Sequence, residues 1–349
     1  MGRLRNFCHD STKLQRLLPA LLQHTIIQFT TMPSVLYNFF SSTGRRYYPA
    51  PATPTLKSND SVIVEVKAAA INPVDYKLPS LFLHGYGVGI DVAGVVTQVS
   101  PDVTTFAVGD RVFGAAKGGS LADRTVCKAS ELAKLPSSFT FVQGAALPVA
   151  YISGYQALAN HGFQEGHKVL VIGASGGCGS AGVQLAKAMG ASEVVGVCSK
   201  KNEEFVKSLG ADRIIDYQTQ SIGDGNDKHF DFVYDTATNS GGGEDYLTSA
   251  KAVLKDPTKH HVALNGPLSM WLRKLTGFPH PTIALIVSSQ NSTDLEAIVR
   301  HLERSNQRPI IDSEFDFTEQ GVEDAFAKLH SRRTKGKIVI NLEMNPATK

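Results

Sequence analysis

At 349 residues the chain is long enough for two domains, each with its own core. Hydrophobic residues make up 42% and charged residues 19%, ordinary for a soluble globular protein, and a net charge of +3 is too small to imply nucleic-acid binding. No apolar run reaches the roughly 18 residues of a membrane helix, and Cys8, Cys127, Cys178 and Cys198 form no CxxC pair and have no histidine at ligand spacing, so a disulfide scaffold and a structural zinc site are both disfavoured and a reducing compartment fits best.

Residues 1–33 differ from the rest. Arg3, Arg5, Lys13 and Arg16 face one acid, Asp10, and Leu14, Leu17, Leu18, Leu21 and Leu22 can line one helical face. That pattern suits an organellar transit peptide. The alternative is an extension ahead of a working start at Met32. The expected compartment is cytoplasmic or mitochondrial accordingly.

From Ser61 the pattern is strand-like: "SVIVEVKAAAINPVDY" alternates and breaks at Asn72-Pro73, where proline removes a ladder donor. "GIDVAGVVTQVS", "GDRVFG" and "SLADRTVCKA" follow as short strands between Gly and Asp turns, which points to a partly open barrel. After about Tyr155 the period changes. Strands are expected at 168–172, 194–199, 213–217, 230–236, 260–265 and 282–288, alternating with helices. One helix carries Phe205, Val206 and Leu209 and ends at Gly210; the next carries Tyr246, Leu247, Ala250 and Leu254. Thr293 and Glu296 read as a capping box for a third. Such alternation predicts an α/β, doubly wound parallel sheet. The tail reads as one helix and a last strand.

The decisive stretch is "KVLVIGASGGCGSAGVQLAKAMG", Lys168–Gly190. Against the dinucleotide fingerprint G-x-G-x-x-G it offers Ala174, Gly176 and Gly179, with Gly173 just before the substituted first glycine. The loop Gly173, Ala174, Ser175, Gly176, Gly177, Cys178 and Gly179 follows a strand and opens a helix, so a pyrophosphate would meet free N–H groups and the positive dipole end. The competing explanation is a turn that merely packs a helix on a strand. A helix N-terminus can lower a thiol pKa, yet Cys178 is more simply a small filler.

Cofactor choice follows from the end of the second strand, "VVGVCSKKNEE". An NAD enzyme places an acid there for the ribose 2′-hydroxyl. Here Ser199, Lys200 and Lys201 stand there, and the first acid is Glu203. A hydroxyl with two ammonium groups suits a 2′-phosphate, hence NADPH, against the alternative of a solvated helix start.

With "AAAINPVDYK", "GIDVAGVV", "VGDRVFG", "GAALPVAYISGYQAL", "GASGGCGSAGVQLAK", "SLGADRIIDY" and "RTKGKIVINL" in this order, the chain resembles the medium-chain dehydrogenase/reductase superfamily over Val35–Leu342, nearest its zinc-lacking quinone oxidoreductase and enoyl reductase members. The resemblance implies a GroES-like partly open β-barrel domain at 34–155, a doubly wound Rossmann domain at 156–290, and a return to the barrel at 291–349. It implies that Tyr217 contacts the adenosine 2′-phosphate, that Ser153 lies near the nicotinamide, and that Asn72 faces nicotinamide and substrate. Zinc-dependent relatives have a Cys at the "NPVD" turn and a His-Glu pair at "GIDVAG", and a four-cysteine lobe; none is present, so no metal is expected. "LPSLFLHGYGVG" also departs from the family, which bears on His84 and Tyr86.

The expected reaction is hydride transfer from NADPH to a quinone or α,β-unsaturated carbonyl, with a proton from water or from Tyr76. Asp75 and Lys77 are expected to form a structural ion pair. Alternatives are an enoyl-thioester reductase, with "RTKGK" aiding a carrier phosphate, and a low-turnover NADPH-binding sensor. A homodimer is implied only by analogy.

Charge-assisted bonds to a 2′-phosphate are worth roughly 1.5–3 kcal/mol each before screening. Replacing Lys200 and Lys201 by alanine is therefore expected to weaken kcat/KM for NADPH by about tenfold or more while leaving NADH nearly unchanged. Equal losses with both cofactors, measured with one quinone, would contradict a 2′-phosphate site.

Overall fold

The computed structural model describes residues 34–344 except 49–53, 57, 78–79 and 241–244. The leader expected at 1–33 lies outside the described residues.

A two-stranded antiparallel ribbon, β1 (Ser34–Tyr37) and β2 (Arg45–Tyr48), comes first. The first large sheet follows from β3 (Ser61–Ile71), β4 (Asp91–Val99), β5 (Arg111–Ala116) and β6 (Arg124–Lys134). Each pairs antiparallel with the next, and β3 also pairs with β6, which curls the sheet into a partly open barrel. Long apolar runs such as "SVIVEVKAAAI" are buried on both faces because the barrel covers one side and a helical layer the other.

The second sheet is entirely parallel: β7 (Lys168–Ile172), β8 (Glu193–Cys198), β9 (Arg213–Asp216), β10 (Phe232–Asp235), β11 (His261–Ala263) and β12 (Ile283–Leu285). Its order, β12-β11-β10-β7-β8-β9, reverses direction between β7 and β10. That reversal is the switch point at which doubly wound sheets open a crevice beyond their carboxyl ends. The chain then returns to the barrel with β13 (Ile311–Asp316) and β14 (Lys337–Asn341), β14 pairing antiparallel with β3.

One apolar cluster crosses from sheet to sheet. Ala68, Ala93, Phe113 and Leu135 of the barrel pack in it with Val169, Leu185, Tyr234 and Val339. Helix Pro148–Ala159 lies in this cluster and is buried along most of its length. A shared core holds the two halves in one geometry.

Three local expectations are corrected. The helix expected to carry Tyr246, Leu247, Ala250 and Leu254 is only Ser249–Val253; Leu254 turns extended to bridge Phe230. The third cap is Asn291, whose side chain accepts from the Asp294 N–H, and helix Ser292–Arg304 begins one residue before Thr293. Asp75 and Lys77 form no ion pair. Asp75 is buried and accepts the Asn72 N–H at 2.7 Å, while Lys77 reaches across to the Ser240 carbonyl at 3.1 Å.

The strand-to-helix turn after β7 tolerates no added carbon at Gly179. A Cβ there would stand 2.1 Å from the Gly173 carbonyl oxygen and 2.9 Å from the Ala174 Cα, all backbone. Gly179→Ala is therefore expected to lower stability by about 1–3 kcal/mol and to shift the loop. A urea midpoint equal to wild type would show that helix Gly177–Ala188 has room to move.

Candidate active site

The glycine loop lies where β7 ends, on the crevice side of the parallel sheet. Gly173 adopts φ +78°, a left-handed turn that glycine enters freely. Ala174, where the fingerprint has its first glycine, is fully buried, and its Cβ faces Gly196 on β8. The alanine is accommodated by a glycine on the neighbouring strand. Gly176 precedes helix Gly177–Ala188 and no side chain caps that end. A Cβ at Gly176 would meet only the Gly173 carbonyl, at 3.6 Å, and would otherwise fill open space above the helix mouth. An uncapped helix start beside that space suits the pyrophosphate of a dinucleotide.

The loop is held from the other side by the returning chain. Gly336, just before β14, bridges Gly176 and donates its N–H to the Ser175 carbonyl at 3.2 Å. The next residue, Lys337, is 4% exposed, and its Cδ lies 3.3 Å from where a Gly177 Cβ would stand. Its ammonium donates to Asp91 Oδ2 at 2.9 Å, to the Asn72 side-chain oxygen, and to the Ile71 carbonyl at 3.3 Å. Asp91, at the start of β4, is fully buried; its Oδ2 also accepts Asn72 Nδ2 at 3.0 Å, and its Oδ1 accepts the Val149 N–H at 2.9 Å. One buried ion pair thus joins β3, β4, β14 and the first turn of helix Pro148–Ala159. The sequence reading offered "RTKGK" only as an aid to a carrier phosphate and missed the buried pair made by Lys337. The signal was its place at the head of a hydrophobic strand, "KIVIN".

Asn72 reaches this floor, but its amide is largely committed to Asp91 and Lys337. Ser153 lies on helix Pro148–Ala159 and its hydroxyl donates to the Val149 carbonyl at 2.7 Å, one turn back. Tyr76 sits apart, its ring centroid 4.0 Å from that of His330 and its body against the barrel core. Burial raises its hydroxyl above the ordinary tyrosine value. Cys178 shows the opposite of thiol activation: burial pushes it to about 11, with Lys337 only partly offsetting this.

At the end of β8, Ser199 is buried and Lys200 and Lys201 are exposed. Lys200 is paired with Glu203 at 2.5 Å, and Glu203 also binds Lys207 at 2.9 Å. Lys201 has no such partner among the described residues, which leaves it the readier cation. Tyr217 is half exposed beside them. Strand pairing brings a second acid near this end. Asp216 ends β9 opposite Cys198, but its carboxylate is turned onto the backbone, accepting the Lys200 and Gln218 N–H groups at 3.2 Å each.

His84 and Tyr86 lie outside this constellation. His84 accepts the Phe39 N–H at 3.3 Å, and Tyr86 is 53% exposed on the barrel. A groove of about 870 Å³ lined by Asp60, Phe106, Ser130, Leu132, Glu296 and Arg300 contains none of the residues named above.

A family profile described as an alcohol dehydrogenase GroES-like domain matches residues 58–137, and one described as a zinc-binding dehydrogenase matches 209–340. A 2-methylene-furan-3-one reductase of Solanum lycopersicum is 36% identical over 83% of this chain and 74% of its own. A chloroplastic NADPH-dependent alkenal/one oxidoreductase of Arabidopsis thaliana is 33% identical over 82% and 73%. Among solved structures, a quinone oxidoreductase of Coxiella burnetii superposes with a TM-score of 0.76 at 23% identity, covering 89% of this chain and 99% of that one.

Beneath the loop, Asp75 carries a testable charge. Burial raises its carboxyl to about 7 against an ordinary 3.8; Asp91 adds to the rise, and the Asn72 N–H and Lys337 oppose it. A carboxyl raised on folding holds its proton more tightly in the folded state, so its contribution is full below the unfolded value and is lost as pH climbs toward 7. Asp75→Asn keeps an acceptor for Asn72 and cannot ionise. It is expected to gain stability relative to wild type as pH rises from about 4.5 to 7, with a constant difference above that. Urea midpoints at several pH values decide; a difference that does not change over this range would contradict a protonated Asp75.

Proposed function

We infer what the cleft does from the premise that this chain belongs to the medium-chain dehydrogenase/reductase superfamily, in its zinc-lacking quinone oxidoreductase-like branch. The protein acts as an NADPH-dependent oxidoreductase that passes hydride to a quinone or an α,β-unsaturated carbonyl. The observation that carries this is the uncapped, glycine-lined start of helix Gly177–Ala188, opening at the switch point, with Lys201 at the neighbouring strand end unpaired among the described residues.

The donor set does not fit zinc. Asp91 is neutralised by Lys337 at 2.9 Å, and among the described residues no group of three or more His, Cys, Asp or Glu is arranged to hold an ion. A carboxylate already paired with an ammonium is a poor metal ligand. No step is routed through a metal.

NADPH fits, and when bound it supplies the hydride. The loop Gly173–Gly179 would receive its pyrophosphate, with Gly176 allowing close approach and Gly177 making room for Gly336 and Lys337. Ser199, Lys201 and, once released from Glu203, Lys200 would hold the 2′-phosphate, and Tyr217 would flank it. The Asn72–Asp91–Lys337 floor holds the base of the cleft in one arrangement, and Asn72 retains one amide hydrogen to offer a substrate oxygen. Ser153, through its helix, sets the wall beside that floor. Tyr76 is a wall residue in tilted contact with His330, and solvent supplies the proton that completes reduction, to a carbonyl oxygen of a quinone or the α-carbon of an enone. The domain division at 34–155, 156–290 and 291–349, and residence in the cytoplasm or mitochondrion, belong to the same proposal.

The test is NADPH oxidation with 1,2-naphthoquinone, trans-2-hexenal and crotonyl-CoA. Turnover is expected with the quinone or the enal at about tenfold or more the kcat/KM for crotonyl-CoA. Preference for crotonyl-CoA would make the protein an enoyl-thioester reductase, and binding of NADPH without turnover on any of the three would make it a sensor.

A further inference from the structure

Helix Leu268–Leu275 is apolar on two sides. Met270 is buried and Trp271 packs beside it against Ala263, Ile283 and Leu285 at the edge of the parallel sheet. On the outer side Leu268, Leu272 and Leu275 are 73%, 54% and 81% exposed, and Phe278, just beyond the helix, is 72% exposed. Positions 268, 272 and 275 fall on one helical face. Large apolar side chains clustered at this exposure are uncommon on a surface with nothing to meet.

The charge around the face has one sign. From Pro257 to Thr293 the sequence contains no Asp or Glu, while Lys259, Arg273 and Lys274 lie within it. His280, beyond the helix, is held below its ordinary pKa by burial and then by the charges of Lys251 and Arg273, which places those two cations beside it. An apolar helix face whose flanking sequence carries cations and no acids complements an anionic, apolar interface.

We propose that helix Leu268–Leu275 docks this protein on an anionic lipid surface, with Leu268, Leu272, Leu275 and Phe278 entering the acyl boundary and Arg273 meeting the headgroups. A second copy of the chain is the poorer fit. Two such cationic faces repel each other, and on the edge strand the Leu285 carbonyl is taken by Lys274 at 2.7 Å, which blunts strand addition at that point. The helix leaves the carboxyl end of β11, the same end of the sheet at which the glycine loop opens. Docking there brings the cleft rim to the phase in which apolar acceptors dissolve.

The experiment is flotation of the full chain with vesicles of phosphatidylcholine alone or with roughly 30 mol % phosphatidylserine. The wild type is expected to float with the anionic vesicles, less with the neutral ones, and to be released by salt. Leu272→Gln with Leu275→Gln removes apolar contact without adding charge; it is expected to weaken flotation at least tenfold, with NADPH binding by fluorescence quenching unchanged as the check on folding. Failure of the wild type to float overturns docking. Flotation of the double variant equal to wild type also overturns it, and assigns binding to another segment such as residues 1–33. A double variant that converts a wild-type dimer to a monomer by light scattering, with no vesicle binding by either, overturns it in favour of a second copy.

Discussion

The buried pair between Lys337 and Asp91 is the constraint from which the cleft follows. Taking both charges out of water is costly, and the arrangement holds only because nearly every polar atom is matched. The three lysine protons go to Asp91, the Asn72 side-chain oxygen and the Ile71 carbonyl, and the Asp91 carboxylate accepts one of them together with the Asn72 side-chain N–H and the Val149 N–H. Four segments distant in sequence are thereby fixed at one point. Displacement of the segment that carries either charge would leave the other uncompensated.

That point lies directly under the glycine loop. Gly336 binds the loop at Ser175, and Lys337 follows at once. The last strand of the barrel therefore holds both the floor of the cleft and the mouth of helix Gly177–Ala188. The apolar cluster shared by the two sheets acts in the same direction. Together they fix the crevice at the switch point, and the hydroxyl of Ser153 and most of the Asn72 amide are already engaged by the protein itself. Chemistry in such a site rests on positioning and exclusion of water more than on a dedicated acid.

The surface carries a different division. Around the end of β8, Glu203 pairs with Lys200 and Lys207 and Asp216 is turned onto the backbone, while Lys201 has no ion-pair partner among the described residues. Around helix Leu268–Leu275 the cations stand with no acid in the flanking sequence, beside exposed leucines. The first pattern suits a small, exchangeable anion and the second an extended anionic interface.

Much of this was legible in the sequence because it depends on local pattern. Period changes located the barrel strands and the parallel sheet, and the glycines after "KVLVI" located the helix mouth, since backbone approach there depends on residues close in the chain. Other features required tertiary structure. Leu254 left its helix to bridge Phe230, and Asp75 bonded Asn72 rather than Lys77. Asp216 came beside Lys200 through strand pairing, and Lys337 met Asp91 from 246 residues away. Helical and strand periods report which face a residue takes, but a charge in a short motif looks the same whether it is solvated or buried. Only the packing of distant strands decides which ammonium is taken out of water, and with which carboxylate.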